Sequence, residues 1–292
     1  MKKILITGAR GYIGSFLLQE LQSKYKVIGT SLHADFNKKI ISLDIRDIDM
    51  VWKCLNHKKP DIIIHAGAVS NVKRCEENPT EAFQTNVEGT SNIIEGANKI
   101  NAKVIFISSL ASKIPLNVYG KNKYNAEILL KSVNLGYEIL QLSMTFGLSP
   151  NTTNHRPFNK IINTLQTGNP KIYDNYWKFQ PTYIKHLLVI IEQLLLQEKF
   201  LGRSIPITTK KSCTMYQIAS DILPDNSIIK GDNLYSNRKE EKIIYDESFE
   251  SNFPIYSYSK MVNNLKEELN LYLKSCSDEI RKQPSTTLST TF

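Results

Sequence analysis

The chain has 292 residues, which is enough to bury a large core and to form one large domain or one domain with a smaller partner. Its apolar fraction of 41% and charged fraction of 22% are those of an ordinary soluble protein. The formal net charge of +9 comes mostly from scattered lysines without a dense basic block, so we expect no nucleic-acid partner, whereas a nucleotide diphosphate would suit a basic surface.

The first predicted element is a strand that leads directly into a glycine-rich turn. Lys2 to Thr7 has a buried-strand pattern, and a helical pattern from Phe16 to Leu21 follows the turn. A dinucleotide site needs this order, since successive glycines permit a tight turn, close approach of a pyrophosphate, and close packing of helix on strand. Free N–H groups at the helix start then face the anion. The predicted cofactor contacts in this loop are Gly8, Arg10, Gly11, Tyr12, Ile13 and Gly14.

The second predicted strand, Lys26 to Thr30, ends at the position that distinguishes the two nicotinamide dinucleotides. Sites that prefer NAD usually carry a carboxylate here, which binds the ribose 2′-hydroxyl and would repel a 2′-phosphate. The residue in this chain is Ser31, and Arg10, Lys38 and Lys39 add positive charge. The pattern favours NADP (NADPH) and leaves NAD possible; the alternative is that these basic residues are only solvated.

A third predicted strand covers Ile40 to Leu43. The residues at its end, Asp44 and Ile45, are placed where an adenine ring could lie. Asp44 could equally cap the helix that begins near Asp47.

The fourth predicted strand, Asp61 to His65, is followed by small residues against which a cofactor could lie, namely Ala66, Gly67 and Ala68. We interpret His65 as a structural residue at the strand end. A long helix is predicted from Pro79 to Ile100 and carries Asn86. We include Asn86 among the predicted cofactor contacts, where it would anchor a water or a backbone group behind the site. The alternative is that it only fastens the helix to a strand.

The segment from Phe106 to Glu127 contains the candidate catalytic groups. It is predicted to be the end of the strand Lys103 to Ser109, a short loop and the start of a helix. Tyr119 and Lys123 stand four residues apart, so they share one helix face. An ammonium near a phenol favours the phenolate and lowers the phenol pKa, and a serine hydroxyl, from Ser108 or Ser109, could orient a substrate oxygen. Such a pair also occurs by chance on solvated helices.

Strands that alternate with helices, on apolar runs without period-two alternation, specify a parallel sheet covered on both faces. After a further strand from Glu138 to Met144, we therefore predict an α/β fold in which residues 1–150 form a doubly wound parallel sheet. Ligands bind at the carboxyl ends of such strands. The glycine loop, Ala66, Ser109 and Met144 all lie at these ends, which predicts one shared crevice.

The glycine loop, the serine and the Tyr-x-x-x-Lys pattern resemble the extended short-chain dehydrogenase/reductases, and most closely the dTDP-4-dehydrorhamnose reductase family. The resemblance reaches to about residue 225, through PDIIIHAGAVSNVKRCEENP, NVEGTSNI, PLNVYGKNK, YDNYWKFQPTY and SCTMYQIA. It implies that Ser109 is the catalytic Ser/Thr, that Tyr119 donates the proton, and that Lys123 binds the nicotinamide ribose and tunes the tyrosine. The implied reaction is hydride transfer to the C4 ketone of a nucleotide-linked 6-deoxysugar.

Two departures from this family fall on the substrate side. Only ten residues lead from Ser109 to Tyr119, so most of a loop that would help to enclose the sugar is missing. The run Leu142-Ser143-Met144-Thr145 lacks the family's Arg and Trp. The predicted substrate contacts are Ser70, Met144 and Arg156.

The second half is predicted to be a substrate-binding region, residues 151–275, followed by a disordered tail over 276–292. Its predicted helices are Asn154 to Gly168, Pro181 to Glu198, which would pack back on the sheet, Thr214 to Leu223, and Tyr256 to Lys274. The basic residues that could pair with a pyrophosphate are Arg156, Arg203, Arg238 and Lys242.

The four cysteines form no CxxC pair and predict neither a metal nor a disulfide framework. With no signal-peptide pattern and no membrane-spanning run, we expect a cytoplasmic protein with a nucleotide-sugar substrate, and a homodimer stays open. Two other functions stay open. One is a sugar-nucleotide epimerase, and the other is a non-catalytic dinucleotide-binding regulatory subunit.

Overall fold

The computed structural model of the protein describes residues 1–35, 37, 39–151, 156–231 and 253–282, with side chains in the last helix as far as Ser275. Four positions named above, Lys38, Asn154, Arg238 and Lys242, lie outside the described residues. So does most of the predicted tail, residues 283–292.

The strands in chain order are β1 Lys3–Thr7, β2 Lys26–Ser31, β3 Ile40–Ser42, β4 Ile62–His65, β5 Lys103–Ser109, β6 Tyr137–Leu142, β7 Thr145–Phe146, β8 Lys171–Asp174, β9 Thr182–Tyr183, β10 Arg203–Ile207 and β11 Ile228–Gly231. Seven of them form one sheet in the order β10-β6-β5-β4-β1-β2-β3, and all of its pairs are parallel. Every residue of β4 is buried, because helices cover both faces of the sheet. This arrangement confirms the predicted doubly wound α/β fold.

The helices are α1 Tyr12–Leu21, α2 Ile48–Lys58, α3 Val72–Glu77, α4 Pro79–Phe83, α5 Gly89–Ile100, α6 Val118–Leu129, α7 Pro157–Thr167, α8 Ile184–Leu196, α9 Met215–Ile222 and α10 Tyr258–Lys282. One face of the sheet packs against α1 and α8, through side chains such as Phe16 and Leu187. The other face packs against α2, α5 and α6, through side chains such as Leu55, Ile93 and Ala126. The apolar stripe of α8 is therefore part of the core.

The predicted helix from Pro79 to Ile100 is not uniform. A π-helical turn, Gln84–Glu88, separates α4 from α5. Gly89 follows the turn, and a Cβ there would lie 2.8 Å from Ile45, so the helix approaches the end of β3 closely. Such insertions often occur at functional sites, and this one carries Asn86.

A second core forms in the C-terminal half. It joins α7, α9 and α10 with buried aromatic residues that include Phe146, Trp177 and Phe179. Two short parallel pairs, β8 with β11 and β7 with β9, border this core. The helix α10 continues to Lys282, into the segment predicted to be disordered, and α8 begins only at Ile184 because the two residues before it form β9.

The strand β10 is absent from the sequence-based prediction. Its sequence RSIPI contains Pro206, which removes one backbone donor, and β10 accordingly lies at the sheet edge. Arg203 in this strand donates to the fully buried Glu138 of β6, with 2.9 Å between Nη2 and Oε1. The expectation that Arg203 could bind a pyrophosphate is therefore wrong, since its guanidinium neutralises a buried carboxylate.

No helix in the described part of the chain combines the length and the apolar composition that a bilayer crossing needs. Within the same residues, no three His, Cys, Asp or Glu side chains are grouped so that they could hold a metal ion.

Candidate functional site

The glycine loop links β1 to α1 by close backbone contacts that only glycine permits. Gly8 has a φ of +67°, and a Cβ there would lie 2.8 Å from the Ala66 carbonyl oxygen after β4. A Cβ on Gly14 would overlap the Gly8 carbonyl group. Gly11 is the N-terminal cap of α1, and its N–H donates to the Gly8 carbonyl at 2.8 Å. The loop therefore holds the N-terminus of α1 against the ends of two strands.

A cleft of about 1310 Å³ opens at the carboxyl ends of the strands. A volume of roughly 300–1,000 Å³ is typical of a site for one small molecule, so this cleft has room for two ligands. Most of the predicted site residues line it. They are Gly8, Gly11, Tyr12, Ile13, Gly14, Ser31, Asp44, Ile45, Ala66, Gly67, Ala68, Ser70, Ser109, Tyr119, Lys123, Met144 and Arg156.

The two remaining predicted contacts, Arg10 and Asn86, are not among the lining residues of the described chain. The side chain of Arg10 is exposed. Asn86 is buried and holds the loop after β4, since its Oδ1 accepts from the Val69 N–H at 2.8 Å and its Nδ2 donates to the Val69 carbonyl at 2.9 Å. Asn86 therefore fastens the helix to this loop and acts on the cleft only through Val69.

The helix α6 positions the candidate catalytic pair. Asn117 caps it, with its Oδ1 accepting from the Gly120 N–H at 2.8 Å, so Tyr119 lies in the first turn and Lys123 in the next. The Lys123 ammonium donates to the Ile107 carbonyl at 2.8 Å and lies 4.5 Å from the centre of the Phe106 ring. Burial lowers the pKa of Lys123 to about 8, while the Glu127 carboxylate acts in the opposite direction.

The pKa of Tyr119 shifts opposite to the sequence-based expectation. Burial raises it, because the phenolate is disfavoured away from water, and the Ser109 hydroxyl and the Arg156 guanidinium oppose this effect. The expectation that Lys123 would bring this pKa below its ordinary value is therefore wrong for this structure. The phenol keeps its proton at neutral pH, which is the form that a proton donor needs.

The serines at the end of β5 have different environments. Ser109 is half-buried at the cleft, and its Oγ accepts from the Ala111 N–H at 3.3 Å. Ser108 is buried and donates to Glu127 at 2.5 Å. Of the two serines that the sequence proposed, Ser109 is therefore the one available to a ligand.

His65 is a structural residue. Its Nδ1 lies 2.7 Å from the Thr7 hydroxyl and its Nε2 3.0 Å from the Thr90 hydroxyl, and its ring stacks on Phe106. Burial and the Lys123 charge lower the pKa of His65 to about 3, so the imidazole is neutral. These contacts support the structural interpretation.

The loop after β3 carries an ion pair at the cleft. Arg46 donates to both carboxylate oxygens of Asp44, at 2.9 Å from Nε and 2.6 Å from Nη2, and this contact lowers the pKa of Asp44. Asp47, and not Asp44, caps α2 by accepting from the Met50 N–H at 3.0 Å. Arg46 also lines the cleft, and the sequence-based prediction missed it, although a basic residue just after a strand end was the available signal.

On the other side of the cleft, Arg156 precedes α7 and donates to the Ser70 hydroxyl at 2.5 Å. Trp177 also lines this side and stacks on Phe179, with 4.9 Å between the ring centres. It was missed although it lies in a stretch that resembles the family. The shortened loop after Ser109 still contributes to the lining, through side chains that include Leu110, Lys113, Ile114 and Leu116.

Comparison with known proteins places this geometry in a family. The model of the NAD dependent epimerase/dehydratase family matches residues 4–176. The subunit beta of methionine adenosyltransferase 2 from Rattus norvegicus is 26% identical over 240 residues, which are 76% of this chain and 71% of that protein. A dTDP-4-dehydrorhamnose reductase from Aggregatibacter actinomycetemcomitans is 32% identical over 163 residues, 50% of this chain and 53% of that one.

Among solved structures, a UDP-glucose 4-epimerase from Thermotoga maritima, crystallised with UDP-glucose, superposes with a TM-score of 0.77 at 18% identity. The match covers 94% of this chain and 99% of that chain. At this identity the likeness shows the shared fold. The family model spans more than half of the sequence, including the glycine loop, Tyr119 and Lys123, and the chain therefore belongs to the NAD dependent epimerase/dehydratase family.

Proposed function

We propose that the protein catalyses the NADPH-dependent reduction of the C4 ketone of a nucleotide-linked 4-keto-6-deoxysugar. The observation that carries the proposal is the convergence of Ser109, Tyr119 and Lys123 on the cleft that the glycine loop borders. Three groups suited to orient and protonate a carbonyl oxygen thus lie beside a loop suited to bind a dinucleotide.

The residues around the glycine loop fit a nicotinamide dinucleotide. The N-terminus of α1 offers N–H groups to a pyrophosphate, and Gly11 keeps the backbone open to it. Ser31 places no carboxylate where a 2′-phosphate would lie. Arg46 has five N–H donors, so the guanidinium that binds Asp44 can also pair with a phosphate. These features support NADPH over NADH.

When bound, NADPH supplies the hydride. The chain supplies the proton and the orientation. Tyr119, whose pKa is raised by burial, protonates the developing alkoxide, while Ser109 donates a hydrogen bond to the same oxygen. Lys123 holds a positive charge beside the reacting groups and can donate to a ribose hydroxyl.

The substrate side suits a sugar nucleotide. Arg156 offers a guanidinium that can pair with a pyrophosphate, and Ser70 orients it. Trp177 is only 8% exposed and offers a flat apolar surface at the cleft wall, against which a sugar or a base can pack. The absence of an acid/base pair at Leu110 and Ala111, directly after Ser109, argues against a dehydratase.

The proposal is tested by NADPH oxidation with a panel of 4-keto sugar nucleotides that includes dTDP-4-keto-rhamnose. Tyr119→Phe should reduce kcat by about a hundredfold or more and leave NADPH binding intact. Tyr124→Phe is a matched control, since Tyr124 lies on the same helix but is 48% exposed, and its activity should equal that of the wild type. Equal losses in both variants would contradict the role of Tyr119.

Two other functions have support of their own. An epimerase would use the same Tyr119 and Lys123, and the family includes epimerases by its description. It would interconvert UDP-sugars without net NADPH consumption. A regulatory subunit is supported by the relative from rat, which this chain matches over 76% of its own length. NADPH binding without turnover of any sugar nucleotide would favour that function.

A further inference from the structure

A carboxylate that the proposed chemistry does not use, Glu127, lies directly behind the candidate catalytic residues. It follows Lys123 by one helical turn on α6. Its Oε1 accepts from the hydroxyls of Ser108 at 2.5 Å and Ser112 at 2.6 Å, and the Gln141 amide donates to both carboxylate oxygens at 3.1 Å. Among the described residues that line the cleft, Glu127 does not occur.

The donors around Glu127 come from three other elements. Ser108 is the second-last residue of β5, Ser112 lies in the 3₁₀ turn that follows, and Gln141 belongs to β6. All three are at most 3% exposed. Buried donors that converge on one carboxylate lock the backbone that carries them. The segment held in this way presents Ser109, because the two anchored serines, Ser108 and Ser112, lie on either side of it. The Ser112 hydroxyl also lies 2.7 Å from the Ser109 carbonyl oxygen.

The donors in this cluster match what a carboxylate can accept. The hydroxyls of Ser108 and Ser112 approach one oxygen of Glu127, and the Gln141 Nε2 lies 3.1 Å from both oxygens. A carboxylate has two oxygens with about four lone-pair sites, so Glu127 can accept all of these hydrogen bonds at once.

Lys123 is buried beside this cluster, and its direct contacts are uncharged. It is 4% exposed, and its ammonium contacts the Ile107 carbonyl and the Phe106 ring. Among the described residues, the titratable groups that act on it or are affected by it include Glu127 on α6, Cys75 on α3 and His65 on β4. Tyr119 lies one turn before it on α6.

Of these four groups, Glu127 is the carboxylate. Burial raises the pKa of Tyr119 and of the Cys75 thiol, and it is the main cause that lowers the pKa of His65 to about 3, so all three are neutral. Burial alone would lower the pKa of Lys123 further than to about 8, and Glu127 is the first of the groups that oppose this.

We infer that Glu127 is a positioning residue for the reaction, which locks the turn that presents Ser109 and keeps the buried Lys123 in its ammonium form. The catalytic meaning of this inference rests on the proposed function. The two physical effects do not, because both are properties of the protein without any ligand.

The test is a pH titration of Lys123 by NMR, with lysines labelled with ¹³C at the ε position and Lys123→Arg used for assignment. In the wild type, Lys123 should titrate near pH 8. In Glu127→Gln, which keeps the size of the side chain and lets the Gln141 amide turn over, the pKa should fall to about 7. The ammonium fraction at pH 8 should then fall about fivefold, from about a half to about a tenth.

The matched control is Glu95→Gln, which removes the carboxylate of an exposed i, i+4 pair with Lys99 and should leave the titration of Lys123 unchanged. An unchanged pKa in Glu127→Gln would overturn the inference. So would a wild-type Lys123 that titrates near the ordinary lysine value of about 10.4, and that result needs no variant to fold.

The pH dependence of kcat in Glu127 variants tests whether the carboxylate of Glu127 affects turnover. In Glu127→Gln, the fall in kcat at high pH should begin about one pH unit lower than in the wild type, with activity recovered near pH 6. In Glu127→Ala, where Ser108 and Ser112 lose their acceptor, lowering the pH should not restore activity. Overlapping pH profiles for wild type and Glu127→Gln would refute the role. If no sugar nucleotide is turned over at all, the proposed function fails, and the NMR titration still decides the role of Glu127.

Discussion

Substitutions at two positions of the glycine loop, Gly14 and Gly11, should affect fold stability and ligand binding separately. A Cβ on Gly14 would lie 2.7 Å from the Gly8 carbonyl carbon and 2.9 Å from the Ala9 Cα. Non-bonded carbons prefer about 3.5–4.0 Å, so α1 must move by about 1 Å from the strand that it covers. Overpacking against rigid backbone costs up to about 3 kcal/mol, and the better helix propensity of alanine returns about 1 kcal/mol.

Gly14→Ala should therefore lower the free energy of unfolding by about 2 kcal/mol and Tm by roughly 4–8 °C. Gly11→Ala differs, since its Cβ would lie 3.1 Å from the Gly8 carbonyl oxygen, a contact that a small adjustment relieves. Its Tm should stay within about 2 °C of the wild type. The added methyl group would, however, occupy the space through which a pyrophosphate approaches α1. We expect the Kd for NADPH to rise at least about tenfold.

Thermal unfolding followed by circular dichroism and NADPH binding followed by calorimetry measure the two effects separately. A wild-type Tm for Gly14→Ala would refute the close packing of α1 on the loop. Wild-type affinity for NADPH in Gly11→Ala would refute the assignment of the loop as the pyrophosphate site. A loss of stability in Gly11→Ala as large as in Gly14→Ala would show that the two glycines have the same structural role.

Three further results are expected. Arg203→Ala leaves the buried carboxylate of Glu138 without its cationic partner and with only the backbone N–H groups of Leu201 and of position 203 as donors, so urea denaturation should show a loss of about 3 kcal/mol. Lys24→Ala, which breaks an exposed pair, should cause a much smaller loss. His65 binds its proton in the folded state only near pH 3, whereas an unfolded histidine does so near pH 6.5, so stability from this residue is complete above pH 6.5 and is lost as the pH falls. Between pH 7 and pH 5 this residue should account for a loss of about 2 kcal/mol, so the loss measured by urea denaturation at both pH values should be smaller by about that amount in His65→Asn than in the wild type. Ser31→Asp should raise the Kd for NADPH about tenfold or more relative to that for NADH, and an unchanged ratio would contradict the placement of the 2′-phosphate.

Local patterns in the sequence were sufficient for the elements whose structure depends on neighbours in the chain. Apolar runs such as Ile62–His65 predict strands covered on both faces, and the structure confirms the parallel sheet that follows from them. The order of strand, glycine turn and helix depends on steric limits of the backbone, which apply wherever the residues occur. The spacing of Tyr119 and Lys123 placed both on one face of a helix because helical geometry is the same in every fold.

Contacts between distant parts of the chain could not be predicted in this way. The strand β10 pairs with β6, and its Arg203 binds the buried Glu138, a contact between distant residues that no local pattern contains. Trp177 reaches the cleft only because the C-terminal core holds its ring against Phe179. Tertiary structure also decided that Asn86 binds the backbone of Val69.

The electrostatic environment of the site was likewise decided by the fold. From the sequence, an ammonium one turn from Tyr119 predicts a lowered phenol pKa, but burial raises this pKa and outweighs the opposing effects of Ser109 and Arg156. Burial also lowers the pKa of Lys123, and the carboxylate of Glu127 opposes this effect. The sequence alone thus determined which chemical groups lie on which element, because that depends on local geometry. Their protonation depends on how much water the folded chain excludes, and only the tertiary structure determines that.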